Sequence, residues 1–197
     1  VFVFFDRIER MAHTLRMDEQ IVETIVEGGI GVIPTDTLYG IVASARDPDA
    51  VSRVYEVKRR NPNKACIVLV ADIDDIEEFG VVLSNELREM LLRYWPGPYS
   101  ILLPIVDETF SYLDRGTGEI AFRVPDDEEL REFLRVTGPL IAPSANTEGN
   151  APATTVSLAQ QYFGDSVDFY VDGGERSGPP STLLRLRENG ESEILRG

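Results

Sequence analysis

The 197-residue chain has a single cysteine, Cys66, and a single histidine, His13. One thiol cannot form an intrachain disulfide framework or a cysteine zinc cluster, and it fits a reducing cytoplasm. Neither G-x-S-x-G nor H-E-x-x-H occurs, so the serine-hydrolase and metal-hydrolase patterns have no anchor. There is no Gly-Lys dipeptide, hence no P-loop, and no G-x-G-x-x-G dinucleotide fingerprint. Basic residues are scarce too: 19 Lys and Arg stand against 34 Asp and Glu, a net charge of -15. That charge repels nucleic acid and anionic membranes, so any anionic ligand requires a local basic patch. The opening run VFVFF is far shorter than the roughly 20 residues of a membrane span, and no basic segment precedes it as in a secretory signal.

What is present reads as one globular α/β domain covering residues 1–197, with 1–17 as an N-terminal extension. Asp18 to Glu27 sets Ile21, Val22, Ile25 and Val26 on one helical stripe, and Gly28-Gly29 stops it. GVIPTDTLYGIVASA is a strand, a polar turn and a second buried run, and polar residues at such a break are ligand candidates. Asp47-Pro48 opens a helix that Pro62 ends before Asn61. CIVLV reads as a strand buried on both faces, and Ser84 caps a helix that Pro96 terminates. YSILLPIV and IAFRVP are strands, Asp126 to Thr137 a helix, LIAPSAN a strand entering a polar loop, Val156 to Phe163 a helix and DFYVDGG a strand. STLLRL and SEILRG flank Asn189-Gly190 as a terminal hairpin. The expected architecture is a twisted, mixed open sheet of about seven strands with flanking helices.

The densest basic stretch is KRRNPNK, Lys58 to Lys64. Lys supplies a compact charge and Arg a planar fork for phosphate oxygens, and on extended chain Lys58 and Arg60 share a face. The bland alternative is a solvated helix end compensating the helix dipole. Ser144 and Asn146 are similarly two apart and offer donors, although Ser and Asn in a turn often bond their own backbone. Thr35, Asp36 and Thr37 carry the same alternative. Arg123, between Phe122 and Val124 in an apolar strand, requires either solvent or an anionic partner.

In order along the chain, PTDTLYGI, K-x-R at Lys58 to Arg60, WPGPYSILL, AFRVP, APSAN, DGG, ST and LRG resemble the YrdC/TsaC family of L-threonylcarbamoyladenylate synthases, from about Gly28 to Gly197. The ending at LRG matches the short form of the family, without an extra C-terminal domain. The resemblance implies a YrdC-like fold with a positive groove. It also implies a transferase reaction in which L-threonine, bicarbonate and ATP give threonylcarbamoyl-AMP and pyrophosphate, for modification of adenosine 37 in tRNA. By it, Lys58 and Arg60 are catalytic and hold the phosphates. Thr37, Arg123 and Ala142 bind threonine, and Ser144, Asn146 and Arg196 complete the ATP site. Mg²⁺ rides mainly on the phosphates, with no protein metal ligand named, and a downstream threonylcarbamoyl transferase machinery is the partner. Asn61, Glu148 and Leu69 depart from the family pattern. Two other readings are a YrdC-like paralogue that binds or hydrolyses nucleotide and a double-stranded RNA-binding module. The charge disfavours the second and leaves direct RNA binding weak at most.

Overall fold

The computed structural model describes residues 19–186 and 192–196. The proposed N-terminal extension, His13 and the Asn189-Gly190 turn lie outside them. Residues 19–26 form helix α1, ended by a bond from Gly28 N–H to the Ile25 carbonyl with Gly28 at φ 87°. β1 (Gly31–Pro34) and β2 (Tyr39–Ser44) follow as an antiparallel pair joined by the polar turn. α2 (Pro48–Lys58) starts where the sequence indicates: the Asp47 carboxylate accepts from Asp49 N–H (2.9 Å) and Ala50 N–H (3.0 Å), and proline occupies a position whose N–H would have no partner. The helix ends before Asn61, as the sequence indicates, but on a cap of its own and not at the proline. Arg59 adopts the left-handed conformation (φ 52°, ψ 38°) and caps the helix three residues before Pro62.

β3 (Ile67–Leu69), α3 (Asn85–Leu91), β4 (Tyr99–Pro104), the short α4 (Ser111–Asp114), β5 (Glu119–Arg123), α5 (Glu128–Thr137), β6 (Leu140–Ile141), α6 (Val156–Phe163), β7 (Phe169–Tyr170), β8 (Thr182–Leu186) and β9 (Ser192–Arg196) complete the fold. Among the described residues, these nine strands join one mixed sheet in the order β7-β1-β2-β6-β3-β5-β4-β8-β9. The sheet therefore has nine strands where about seven were expected. Two of them, Leu140–Ile141 and Phe169–Tyr170, are two-residue segments defined by pairing with neighbours, too short for periodicity to register. A 3-10 segment at Ile73–Phe79 was not anticipated either; it packs Ile76 and Phe79 inward from an otherwise acidic stretch.

The two faces of the sheet are buried differently. One face carries the main core, which includes Val68, Ile101, Ile120, Phe122 and Leu184 from the strands and Val51, Val54 and Phe163 from helices. The other is covered at one end only, where Ile21 and Ile25 of α1 and Leu130 and Leu134 of α5 pack on Ile33, Val42, Leu69 and Leu140. α5 is built for that role: Asp127 Oδ1 accepts from Leu130 N–H (3.1 Å), acids occupy its first turn, and Leu130, Leu134 and Thr137 form its buried stripe. Past α5, the same face of β3, β5, β4 and β8 is open. Leu134 is 2% exposed and Val136 67%. Leu134→Ala is therefore expected to lower the unfolding free energy by about 2–5 kcal/mol in urea titration, whereas Val136→Ala should stay within about 0.5 kcal/mol of the parent.

Candidate functional site

The uncovered sheet face floors a cleft of about 470 Å³. Period-two alternation sends Ile67 and Leu69 of β3, Glu119, Ala121 and Arg123 of β5, and Leu183 and Arg185 of β8 into it, while Val68, Ile120, Phe122 and Leu184 point into the main core. β3 is thus not buried equally on both faces as CIVLV suggests, since Ile67 and Leu69 help form the cleft floor. Register aligns these residues: Ile67 lies opposite Ala121, Leu69 opposite Arg123 and Leu102 opposite Ala121. The walls are residues 35–38 of the β1–β2 turn, residues 142–144, the segment after α2 and the approach to β8. Five cations, Arg60, Lys64, Arg123, Arg185 and Arg196, and one carboxylate, Glu119, line the cleft. In a chain of net charge -15, that is a concentrated local reversal of sign.

Two buried cations organise the walls. Lys58, at the end of α2, is 1% exposed, and its Nζ donates to Ser144 O (2.5 Å), Asn146 O (2.6 Å) and Asn146 Oδ1 (3.3 Å). Three N–H groups meet three oxygens. Ser144 Oγ donates to Asn146 Oδ1 (2.7 Å), Asn146 Nδ2 donates to Asn150 O (2.7 Å), and Glu148 N–H returns to Lys58 O (2.9 Å). Burial, with the Arg60 charge second, pushes the Lys58 ammonium down to about 8. Arg123, 4% exposed, ends β5 with Nε donating to Gly97 O (3.1 Å), Nη1 to Thr37 Oγ1 (3.2 Å), and Nη2 ion-paired with Asp36. Burial pushes this guanidinium's pKa down and Asp36 opposes the shift. The anionic partner that the strand position demanded is thus supplied from within, by Asp36, whose Oδ2 also accepts from Asp126 N–H (3.1 Å). Thr35 Oγ1 donates to Leu38 O (2.6 Å) and accepts from Thr37 N–H (3.2 Å), which closes the turn that presents Thr37.

Thr37, Arg60, Arg123, Ala142, Ser144 and Arg196 all line the cleft, although they come from five separate stretches of chain. Lys58 and Asn146 do not line it; they stand behind Ser144 and hold its loop. Nor do Lys58 and Arg60 share an extended segment, because left-handed Arg59 separates them. Arg60 spends Nε on Lys64 O (3.1 Å) and Nη2 on Ala65 O (2.8 Å), leaving N–H groups of its five for a ligand. Arg196 donates to Ser181 O (3.2 Å). Of the three departures from the family pattern, Glu148 pairs with Lys64 (3.3 Å) and Leu69 lies on the cleft floor. The sequence reading did not single out Lys64, Ser181, Glu119 or Arg185 as site residues. Lys64 ends the basic run that was recognised. Arg185 falls two residues after Leu183 on the same strand face, a signal visible once the direction of β8 is known, and it meets Glu119 through Nε (3.1 Å) and Nη2 (2.7 Å).

Among the described residues no helix is long and apolar enough to cross a membrane. The chain is 32% identical over 167 residues to the Threonylcarbamoyl-AMP synthase of Pyrococcus abyssi, covering 83% of this chain and 49% of that protein, so it spans about half the length of that relative. The Threonylcarbamoyl-AMP synthase of Marinobacter nauticus is also 32% identical, with 83% of this chain and 88% of that protein covered. Among solved structures, P. abyssi Sua5 complexed with L-threonine superimposes with a TM-score of 0.80 at 30% identity, over 91% of this chain and 53% of that one. The profile of the Sua5/YciO/YrdC family, described as Telomere recombination, matches residues 23–197, which include every described strand of the sheet and every residue lining the cleft, and the chain belongs to that family.

Proposed function

We propose that this chain is a threonylcarbamoyl-AMP synthase, a nucleotidyltransferase acting in the cytoplasm to supply the activated group for threonylcarbamoyl modification of tRNA. The observation that carries the reading is the cleft: five cations gathered on the open half of a sheet in a strongly acidic chain, in a volume suited to a mononucleotide and an amino acid. Relatives named for this activity support it. A cleft of this size in so acidic a chain does not suit duplex RNA, so tRNA would meet the product through a separate transferase.

In the proposed reaction, the threonine amine attacks bicarbonate to give a carbamate and water. A carbamate oxygen then attacks the α-phosphorus of ATP in line, the bond to the β-phosphate oxygen breaks, and pyrophosphate leaves. No side-chain nucleophile enters, so the chain's contribution is orientation and charge neutralisation. Arg60 and Arg196 neutralise phosphate oxygens, and the Ser144 hydroxyl faces them. Lys58 acts through the loop it builds, since its three donors are already occupied. Asn146 serves in the same way. Thr37 and Arg123 receive the threonine carboxylate beside Ala142. Mg²⁺ would be held by the ATP phosphates and would supply further charge neutralisation there. Among the described residues no group of three or more His, Cys, Asp or Glu side chains is assembled that could hold a metal.

Pyrophosphate release from ATP should require both L-threonine and bicarbonate. L-threoninol, which lacks the carboxylate, should fail to replace threonine. Release without threonine would mark simple nucleotide hydrolysis, and release without bicarbonate a plain aminoacyl-adenylate. Arg60→Ala should weaken ATP binding by about 2–3 kcal/mol in calorimetry, the scale of a lost charged donor, with little change in melting temperature.

Lys58 gives a pH test. Below pH 8 it is protonated in both folded and unfolded chain. Between 8 and the ordinary lysine value of about 10.4, the unfolded chain holds a proton that the folded one has shed, so linkage raises stability as pH rises. ATP affinity should move the other way, because a neutral amine offers two N–H groups to three oxygens and the 144–146 loop loosens. Calorimetric ATP affinity is thus expected to fall above about pH 8 in the parent. In Lys58→Met it should be weak and flat across the same range.

A further inference from the structure

Residues 172–180 run from the end of β7 towards β8, and all but Arg176 are exposed. This strap crosses the Pro34–Leu38 turn closely: a Cβ on Gly173 would stand 2.5 Å from Pro34 Cγ, and one on Gly178 would stand 3.2 Å from the Thr37 carbonyl oxygen. Its far end brings Pro180 and Ser181 to the cleft wall. Among the described residues, three hydrogen bonds tie its main chain to the rest of the molecule. One runs from Arg176 N–H to Thr154 O (2.8 Å). The other two belong to one hydroxyl, that of Tyr39, which accepts from Gly173 N–H (2.9 Å) and donates to Gly174 O (2.8 Å).

Tyr39 is fully buried, and its main-chain oxygen accepts from Ala145 N–H (2.7 Å), so the same residue also anchors the loop that carries Ser144. Asp172 Oδ1 completes the arrangement by accepting from Gly174 N–H (2.9 Å). Burial pushes the phenol pKa up, and the hydroxyl keeps its donor proton at neutral pH.

We propose that Tyr39 is a positioning residue for amino-acid binding: its hydroxyl latches the 172–180 strap onto the Pro34–Leu38 turn and so steadies the turn that presents Thr37 to the cleft. The part concerning the amino acid rests on the reading of the cleft given above; the latch itself rests on geometry alone. An exposed strap with so few tethers belongs to the low-stability end of a fold, where a single pair of bonds decides whether it is ordered.

The test is Tyr39→Phe in the full chain, which keeps the ring and removes both bonds. Amide exchange across 172–178 should accelerate at least tenfold while β5 is unchanged, and KM for L-threonine should rise about fivefold with kcat within twofold. Gly173→Ala pries the strap from Pro34 without touching the phenol and should give the same pair of changes. Equal acceleration in β5 and the strap would reduce Tyr39 to an ordinary core residue and overturn the proposal. So would unchanged exchange in the strap, or faster exchange with unaltered KM. Exchange is read without substrate, so failure of the parent chain to consume threonine would count against the proposed reaction and leave the latch result intact.

Discussion

A cation taken out of water must be given oxygen, and this fold has two such cations at the cleft. Lys58 and Arg123 are 1% and 4% exposed, and each gathers its acceptors from chain distant in sequence. Lys58 draws in the main chain of Ser144 and Asn146. Arg123 draws in Gly97, Thr37 and Asp36. Buried ionic groups contribute little net stability over well-packed apolar residues, yet removing one partner is costly. Their value here is placement: satisfying the two charges holds the Pro34–Leu38 turn and the neighbouring 144–146 loop beside one sheet face. The cleft then follows from α1 and α5 covering only one end of that face.

Electrostatics sharpen the same picture. Several acids pair with arginines on the outer surface, as in Arg46–Glu78, Arg53–Asp168 and the Arg135 cluster with Asp72, Glu128 and Glu132. Such exposed pairs add little stability. The cleft differs in that Arg60 and Arg196 bond to carbonyls, keeping their charge for a ligand, while Glu119 is matched by Arg185. A polyphosphate approaching an otherwise repulsive surface is thereby focused on one place.

Two helix starts were legible because caps are local chemistry: Asp47-Pro48 and Ser84 each open a helix where the pattern puts it, although α3 stops at Leu91 and not at Pro96. The order of motifs was legible as a family resemblance. What was not legible depends on tertiary pairing. Two-residue strands exist only through their neighbours. Asp36 could not be matched to Arg123 across 87 positions from spacing alone. Lys58 reads as a phosphate ligand in sequence, since nothing there reveals that three oxygens surround it. Arg185 and Glu119 needed the strand register before they could be placed in the cleft.

The central claim is that one cleft, shaped by two buried cations, takes nucleotide and amino acid together. A crystal structure of the chain with L-threonine and a non-hydrolysable ATP analogue tests it directly. Phosphates are expected against Arg60 and the Ser144 loop, and the threonine carboxylate at Thr37 and Arg123, with both ligands in that cleft. Nucleotide bound elsewhere, or threonine seated beside Glu119 and Arg185 with Arg123 uninvolved, would contradict it.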